Sequence, residues 1–270
     1  MILTADSGST KTDWIVSDAN SVQKEKITTQ GINPFHMSAD VIENILRNEL
    51  ATKTDTDNIT EIHFYGAGCT AARIPVMKGI LTSVFPNANV VEVASDLLGA
   101  AKALCGNQEG IACILGTGAN SCLYDGEKIV SNVSPMGYIL GDEGSGAVIG
   151  KTFIGELYKG GHSDFIPVFE NETGLTSADI IQKVYREPLA NRFLASLTVF
   201  INAHIREQKW INDMVTECFR MFFRRNIVHY ERPDLKVNFV GSIAYHFREQ
   251  LTEAADLEGF EIGKILKSPL

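Results

Sequence analysis

Two glycine-containing turns carry residue types that are suited to holding phosphate groups. Residues 6–12 read Asp-Ser-Gly-Ser-Thr-Lys-Thr, and residues 116–121 read Gly-Thr-Gly-Ala-Asn-Ser. Glycine lets backbone amides approach phosphate oxygens closely, and a carboxylate such as Asp6 can hold a magnesium ion through water. Each turn alone is equally compatible with a solvated hairpin tip. Two such turns in similar surroundings favour phosphate binding.

Acidic and amide side chains occur at three further places that suit a ligand. Asp142 and Glu143 stand between glycines in residues 141–146, although a helix N-terminus would also favour them there. Asp96 follows a predicted strand, at the edge where α/β sheets collect ligands, but it is also compatible with a helix cap. Asn33 precedes a proline and can bind hydroxyl groups, or simply form a turn.

The tripeptide Gly-Lys-Thr at residues 150–152 resembles the end of a P-loop. The motif G-x-x-x-x-G-K-[ST] needs a glycine at position 145, where this chain has Ser145. The tripeptide also lies in a predicted helix and not between a strand and a helix. We therefore interpret it as a coincidence.

The elements that must position these residues form a repeated pattern. Predicted strands at residues 1–6 and 14–18 flank the first turn, and predicted strands at 110–115 and 120–124 flank the second. This repeat predicts an α/β fold of two related lobes, residues 1–107 and 108–270, the second with a helical insertion at about 150–232. Further strands are predicted at residues 61–65, 89–93, 236–240 and 261–267, and helices at 38–50, 74–84, 95–104, 190–208 and 212–229.

Composition limits the classes of function. The chain has 270 residues, 44% hydrophobic and 21% charged, with a net charge of −9, which argues against a nucleic-acid-binding protein. No apolar run approaches the ~20 residues that a membrane span needs, and the N-terminus does not resemble a signal peptide. The five cysteines form no C-x-x-C pair, so we expect them to be reduced in a cytoplasmic protein without a zinc site.

These motifs, in this order, resemble those of the actin-like superfamily of sugar kinases, hexokinase-type enzymes and chaperone ATPases. More specifically, the chain is similar to the N-acetylglucosamine kinase branch, which also contains BadF/BadG-type ATPases. The similarity covers nearly the whole chain, and the segment Gly-Asp-Glu-Gly-Ser is its most specific mark. The matching segments are residues 6–13, 31–33, 95–96, 115–121, 141–145 and 240–243.

The resemblance implies a fold and a reaction. The fold would be two actin-like (ribonuclease H-like) lobes, each a mixed sheet flanked by helices, with a nucleotide cleft between them. The reaction would transfer the γ-phosphate of ATP, with Mg²⁺, to a hydroxyl, O6, of an amino sugar, with N-acetylglucosamine as the leading acceptor. The implied partners are therefore small molecules, without nucleic acid or membrane, and the family allows a homodimer.

The resemblance also implies a role for each matching residue. Asp96 would be the catalytic base and would bind the sugar together with Asn33, Gly137 and Asp142, while Asp6 would hold magnesium through water. The implied nucleotide and phosphate contacts are Gly8, Ser9, Thr10, Lys11, Thr12, Gly116, Thr117, Gly118, Ser121, Gly241 and Ser242.

One departure from the branch and two rival functions stay open. Pro135 and Met136 replace a glycine-tryptophan pair beside the sugar pocket, so glucosamine and N-acetylmuramic acid compete as acceptors. A BadF-type activator of a partner enzyme would instead hold an iron–sulfur cluster between two subunits, through cysteines such as Cys105, Cys113 and Cys122. A non-catalytic sugar sensor is the second rival, although the chain retains both Asp6 and Asp96.

Overall fold

The computed structural model describes residues 1–8, 10–18 and 24–270. The chain forms two compact units: the first comprises Met1–Ala103 with Pro269–Leu270, and the second comprises Leu104–Ser268. The predicted lobe boundary after residue 107 falls just inside the second unit, and the two predicted ranges stay a prediction. Within the described ranges, every helix is too short or too polar to span a membrane.

The first unit contains a mixed sheet with strand order β3-β2-β1-β4-β5. β1 pairs with β4 in parallel and with β2 in an antiparallel hairpin, β2 pairs antiparallel with β3, and β4 pairs in parallel with β5. The strands are β1 (Ile2–Ser7), β2 (Lys11–Ser17), β3 (Lys24–Gln30), β4 (Glu61–Gly66) and β5 (Val90–Ser95). The predicted hairpin around the first glycine turn is confirmed.

Residues of β1 alternate between an apolar and a polar face of the first sheet. Leu3 and Ala5 are buried in the apolar core together with Trp14, Phe64 and side chains of the first two helices. The helices of this unit are α1 (Ala39–Ile45), continued by a π-helical turn (Leu46–Leu50), α2 (Ile74–Val84) and α3, which runs across the division between the units (Asp96–Cys105). Because side chains alternate along a strand, Asp6 lies on the opposite, partly buried face.

The helix α3 packs closely on this polar face because Gly99 carries no side chain. A Cβ atom at Gly99 would lie 2.7 Å from Cβ of Tyr65, the residue that stands beside Asp6 in the β1–β4 register. Lys102 strengthens the contact, since its ammonium donates to the Tyr65 hydroxyl at 3.2 Å and to Glu92 at 3.0 Å. The close contact brings Asp96, the first residue of α3, into the electrostatic environment of Asp6.

The second unit repeats the strand layout of the first. Its sheet has the order β10-β9-β6-β7-β8, with β6–β7 and β7–β8 antiparallel and β6–β9 and β9–β10 parallel. The strands are β6 (Gly110–Leu115), β7 (Ala119–Tyr124), β8 (Ile129–Ser131), β9 (Val237–Val240) and β10 (Ile262–Leu266). The predicted repeat is therefore present in the topology, whereas the short edge strand β8 was not predicted.

Helices fill the chain between β8 and β9 and follow β9. They are α4 (Gly137–Leu140), α5 (Gly146–Lys159), α6 (Ile166–Thr173), α7 (Ser177–Tyr185), α8 (Ala190–Ser196), α9 (Thr198–His204), α10 (Lys209–Arg225), α11 (Ser242–His246) and α12 (Arg248–Glu258). The single helix predicted at 190–208 is wrong, because the chain turns at Leu197. Hydroxyls of Ser196 and Thr198 bond to the carbonyls of Phe193 and Ala195, which is the competition with helical bonding typical of these residues.

The Gly-Lys-Thr tripeptide lies in the interior of α5, as predicted. A Cβ atom at Gly150 would lie 2.0 Å from the carbonyl oxygen of Leu194, so this glycine allows α5 to cross α8 closely. Lys151 donates to the carbonyl of Tyr138 at 2.8 Å, and the side chain of Thr152 bonds to the thiol of Cys218. All three residues therefore make contacts that a phosphate-binding loop does not require.

We expect Gly150→Ala to destabilise the protein by about 1–3 kcal/mol, because the added methyl group forces α5 and α8 apart. Gly155→Ala is the matched control in the same helix, since nothing lies within 4 Å of its added atom. That substitution should be neutral or stabilising by up to ~1 kcal/mol. Urea unfolding measures both free energies, and equal stability of the two variants would contradict the close crossing.

Candidate functional site

Two carboxylates of the first unit lie at the ends of parallel strands that flank β4, and they interact electrostatically. Asp6 lies near the end of β1, and Asp96 begins α3 directly after β5, where the amide of Leu97 donates to its Oδ1 at 2.9 Å. Burial raises the pKa of Asp96 to about 6. Burial also raises the pKa of Asp6 to about 6, and the negative charges of Asp96 and Asp13 add to the rise. The two groups thus titrate near neutral pH, as general bases do.

Asp13 is a third carboxylate on this face, and it has the opposite electrostatic character. It stands opposite Asp6 in the β1–β2 register, and its side chain is 3% exposed. It accepts from Lys11 at 2.6 Å and Thr28 at 2.9 Å, and Lys26 lies at 3.1 Å. Burial alone would raise the pKa of Asp13, but these partners hold it below its usual value. Asp13 lies in the matching segment of residues 6–13, but the sequence did not predict a role for it.

The cavity beside Asp6 leaves room for a ligand group. It measures about 230 Å³ and is lined by Asp6, Tyr65, Gly99 and Lys102, among other residues of the first unit. Its lining combines a carboxylate, a phenol hydroxyl and an ammonium group, which are suited to polar ligands. In the part of the chain that the structure describes, no cluster of three or more metal-binding side chains occurs. Any cation held by Asp6 would therefore take most of its ligands from water or from a bound phosphate.

The first glycine turn has an internal hydrogen bond from the amide of Gly8 to the carbonyl of Lys11, at 3.0 Å. Thr10 and Lys11 are exposed there, and Ser9 lies outside the described residues. The side chain of Thr12 is fully buried, with its hydroxyl 2.6 Å from that of Ser7. The prediction that Thr12 contacts phosphate stays a prediction, and its hydroxyl, paired with that of Ser7, anchors the next loop.

That loop carries Asn33, which packs directly on the turn after β4. The two hydroxyls of Ser7 and Thr12 accept from the amide of Ile32 at 3.1 and 3.2 Å. Asn33 Oδ1 accepts from the amide of Phe35 at 3.0 Å and lies 2.0 Å from the position of a Cβ atom at Gly68. Among the described residues, no acceptor bonds to its amide nitrogen, so this donor can meet a sugar hydroxyl.

The second glycine turn, in the second unit, points its carbonyl groups at a helix. The carbonyls of Gly116 and Thr117 accept from the first two amides of α5, those of Gly146 and Ala147, at 2.8 and 3.1 Å. The amide of Gly116 donates to the carbonyl of Gly118 at 2.9 Å, so it is used within the turn. Among the described residues, no acceptor bonds to the amides of Thr117 and Gly118. These two amides are the ones that suit a phosphate.

Ser121 and the turn after β9 complete the surroundings of the second glycine turn. Ser121 is fully buried and its hydroxyl lies 2.7 Å from that of Tyr230. Its predicted nucleotide contact stays a prediction. Gly241 has a φ of 124°. A Cβ atom there would lie 2.2 Å from the carbonyl oxygen of Leu115. The structure thus brings Gly241 and Ser242, at the start of α11, next to the second glycine turn.

Asp142 meets the same turn from another side. Its Oδ1 accepts from the amide of Ala119 at 3.3 Å, and a Cβ atom at Gly118 would lie 3.1 Å from its Oδ2. Burial raises the pKa of Asp142 to about 6, and the neighbouring Glu143 contributes to the rise. The structure therefore brings Asp142, predicted as a sugar contact, against the second glycine turn, predicted as a phosphate contact.

Glu143, the neighbour of Asp142, was not assigned a role from the sequence. It accepts from Arg225 at 3.2 Å and from Asn226 at 3.4 Å. It lines a groove of about 640 Å³ together with side chains of α4, α5 and α10. The local sequence does not show that Glu143 and Asp142 have different partners, because Arg225 and Asn226 lie far along the chain.

Comparisons with known proteins decide the family. No family model matches the sequence, and no curated protein matches it. A solved structure from Porphyromonas gingivalis, of a protein provisionally named an N-acetylglucosamine kinase, is 49% identical with a TM-score of 0.94. The match covers 100% of this chain and 95% of that one. The chain belongs to the N-acetylglucosamine kinase branch of the actin-like sugar kinases.

Two more distant structures agree with this kinase branch in fold. A protein from Chromobacterium violaceum, provisionally named in the same way, is 16% identical with a TM-score of 0.75, covering 97% of this chain and 93% of that one. A ROK family glucokinase from Streptomyces griseus, in complex with glucose and AMPPNP, is 14% identical with a TM-score of 0.54, covering 99% and 95%. The predicted family and α/β fold class are therefore confirmed.

The raised pKa values predict how the stability of this kinase depends on pH. A carboxyl whose pKa is raised from 3.8 to about 6 by folding stabilises the protein below pH 4, and this contribution is lost as the pH rises through 6. Asp96→Asn should therefore stabilise the protein at pH 7.5 by roughly 1–3 kcal/mol and have a smaller effect at pH 4.5.

Asp13→Asn is the matched control, because the pKa of Asp13 is lowered by folding. Its contribution is present above its unfolded pKa and is lost as the pH falls through the folded value, so this variant should lose stability at pH 7.5. Thermal unfolding at both pH values compares the variants. A destabilised Asp96→Asn at pH 7.5 would contradict the assignment of an uncompensated buried charge.

Proposed function

We propose that this protein transfers the γ-phosphoryl group of ATP to a hydroxyl group, O6, of an amino sugar, with N-acetylglucosamine as the leading acceptor. The observation that carries the proposal is the pair of partly buried carboxylates at the strand ends, Asp6 and Asp96, which interact electrostatically and have raised pKa values. The 49% identity to a protein provisionally named an N-acetylglucosamine kinase supports the acceptor class.

Asp96 is the proposed general base. Its pKa of about 6 leaves it ionised at neutral pH while keeping it basic enough to accept a proton from the attacking hydroxyl. The bond from the Leu97 amide fixes the direction of the carboxylate. Phosphoryl transfer depends mainly on positioning and charge stabilisation, so an oriented base at a rigid helix start suits the reaction.

Asp6 is the proposed magnesium residue, with contact mostly through water. Burial, and then the negative charges of Asp96 and Asp13, raise the pKa of Asp6. Among the described residues no cation is hydrogen-bonded to it, which fits a site for a divalent cation. Bound with ATP, magnesium neutralises charge on the transferred phosphoryl group. Asp13 is already paired with Lys11 and Lys26, so it does not compete with Asp6 for the metal ion.

The remaining ligand contacts are proposed from the matching segments of each unit. In the second unit, the amides of Thr117 and Gly118 are proposed to bind phosphate, Gly241 and Ser242 to contact the adenosine, and the carboxylate of Asp142 with Gly137 to bind sugar hydroxyls. In the first unit, the proposed phosphate contacts are Gly8, Ser9, Thr10 and Lys11. The amide nitrogen of Asn33 is proposed to donate to a sugar hydroxyl. The cytoplasmic location and a homodimer stay predictions.

The rival function as an iron–sulfur activator fits the cysteines poorly. Cys113 and Cys122 are fully buried in β6 and β7, and burial raises the pKa of the Cys122 thiol to about 12. Cluster ligands must be thiolates that a partner subunit can approach, and these thiols are neutral and enclosed. The observations therefore favour the kinase over the activator.

Asp96→Asn should lower the turnover number at least ~100-fold, the scale expected for loss of a positioned general base. Nucleotide affinity should stay within about twofold, because the residue is assigned to the acceptor side of the reaction. Asp40→Asn is the matched control, since Asp40 is an exposed aspartate in the first turn of α1. Steady-state ADP release and calorimetry with a non-hydrolysable ATP analogue measure the two effects. Near-normal turnover of Asp96→Asn would exclude it as the base.

The acceptor class is tested by comparing kcat/KM for N-acetylglucosamine, glucosamine, N-acetylmuramic acid and glucose under identical ATP and magnesium. The amino sugars should exceed glucose about tenfold or more, the scale of a directional hydrogen-bond difference in a polar pocket. Met136, which is 59% exposed, gives an adaptable edge where relatives have a flat tryptophan. If glucose equals every amino sugar, the acceptor assignment fails and the kinase assignment stands; absence of any sugar-dependent ADP release contradicts both.

A further inference from the structure

The loop before Asp142 has a strained backbone. Met136 and Asp142 have φ values of 58° and 54°, in the left-handed region that non-glycine residues avoid. Such a backbone conformation is unfavourable, and it persists only where surrounding contacts impose it. Two backbone hydrogen bonds help to hold this conformation. The amide of Asp142 donates to the carbonyl of Pro135 at 2.8 Å, and the amide of Gly141 donates to the carbonyl of Gly137 at 2.7 Å.

Apolar burial does little to hold this loop. The helix α4 has four residues, and its side chains Ile139 and Leu140 are 73% and 69% exposed. Tyr138 is only partly buried against the core of the second unit. A segment with so little buried apolar surface needs polar contacts to keep one conformation.

Lys151 supplies such a contact from a rigid element. Its Nζ donates to the carbonyl of Tyr138 at 2.8 Å. The helix α5 that carries it is fixed at its start by the carbonyls of Gly116 and Thr117 in the phosphate turn. Among the described residues, no carboxylate lies within ion-pair distance of Lys151, so its ammonium group is not committed to a salt bridge.

We propose that Lys151 is a positioning residue for the acceptor sugar, which holds the loop of residues 135–142 against α5 through the Tyr138 carbonyl and so places Asp142 and Gly137. The proposal rests on the proposed function, because it takes Asp142 and Gly137 as sugar ligands. It gives a role to the lysine of the Gly-Lys-Thr tripeptide that involves no nucleotide phosphate.

The charge of Lys151 adds a second effect on Asp142. The groups that act on this carboxylate are the Ala119 amide, Glu143, which raises its pKa, and Lys151, which lowers it. Arg225 on α10 faces the same loop but is paired with Glu143. Removing the Lys151 charge therefore raises the pKa of Asp142 further above 6, and a smaller fraction is ionised to accept sugar hydroxyls at neutral pH.

The test compares Lys151→Met with Lys151→Arg and with Lys159→Met, an exposed lysine at the end of the same helix. Lys151→Met should raise KM for the best acceptor sugar roughly tenfold, the effect of losing a charged hydrogen bond, with a smaller change in kcat and an unchanged KM for ATP. The acidic limb of its kcat/KM profile should move to higher pH. Lys151→Arg should restore both values, and Lys159→Met should leave both unchanged.

Hydrogen exchange without any substrate gives a readout that does not depend on activity. The amides of Gly141 and Asp142 should exchange at least ~10-fold faster in Lys151→Met than in the unaltered protein. An unchanged acceptor KM or an unchanged exchange rate in Lys151→Met overturns the positioning role. Absence of sugar phosphorylation by the unaltered protein instead overturns the proposed function, and the exchange rates then still decide whether Lys151 holds the loop.

Discussion

The close packing of α3 on the polar face of the first sheet is the constraint on which the candidate active site depends. Gly99 allows the helix to approach Tyr65, and Lys102 joins the helix to Tyr65 and Glu92. This packing holds Asp96 in the electrostatic environment of Asp6, and burial raises both pKa values to about 6. A longer residue at position 99 would separate the helix from the sheet, and both carboxylates would regain solvent and ordinary acidity.

In the second unit, backbone groups hold the second glycine turn in place. Carbonyls of the second glycine turn accept hydrogen bonds from the first amides of α5. Gly241 lies so close to the carbonyl of Leu115 that a side chain would not fit between them. Because these contacts involve main-chain atoms, the turn geometry depends on glycine and not on a particular side chain. The one prominent side chain in the arrangement is Asp142, which bonds to the amide that follows the turn.

Local pattern was enough to predict most of the strands, the glycine turns and the α/β class. Those features depend on residue spacing that is visible within about ten residues. It was not enough to show that the hydroxyls of Thr12 and Ser121 turn inward, because folding of the chain brings their partners Ser7 and Tyr230 to them. The local pattern also did not predict the helix break at Leu197, because the break depends on hydrogen bonds that the hydroxyls of Ser196 and Thr198 make with nearby carbonyls.

Asp6 and Asp13 show how one face of a sheet can hold two aspartates with opposite tasks. They stand opposite each other in register, yet Asp13 is neutralised by Lys11, Lys26 and Thr28, whereas Asp6 faces a cavity. If every carboxylate had a cation, the face would be more stable but would have no charge left for a ligand. The uncompensated pair Asp6 and Asp96 therefore lowers the stability of the free protein. Binding of a cation at Asp6, or of a proton at Asp96, would recover part of that free energy.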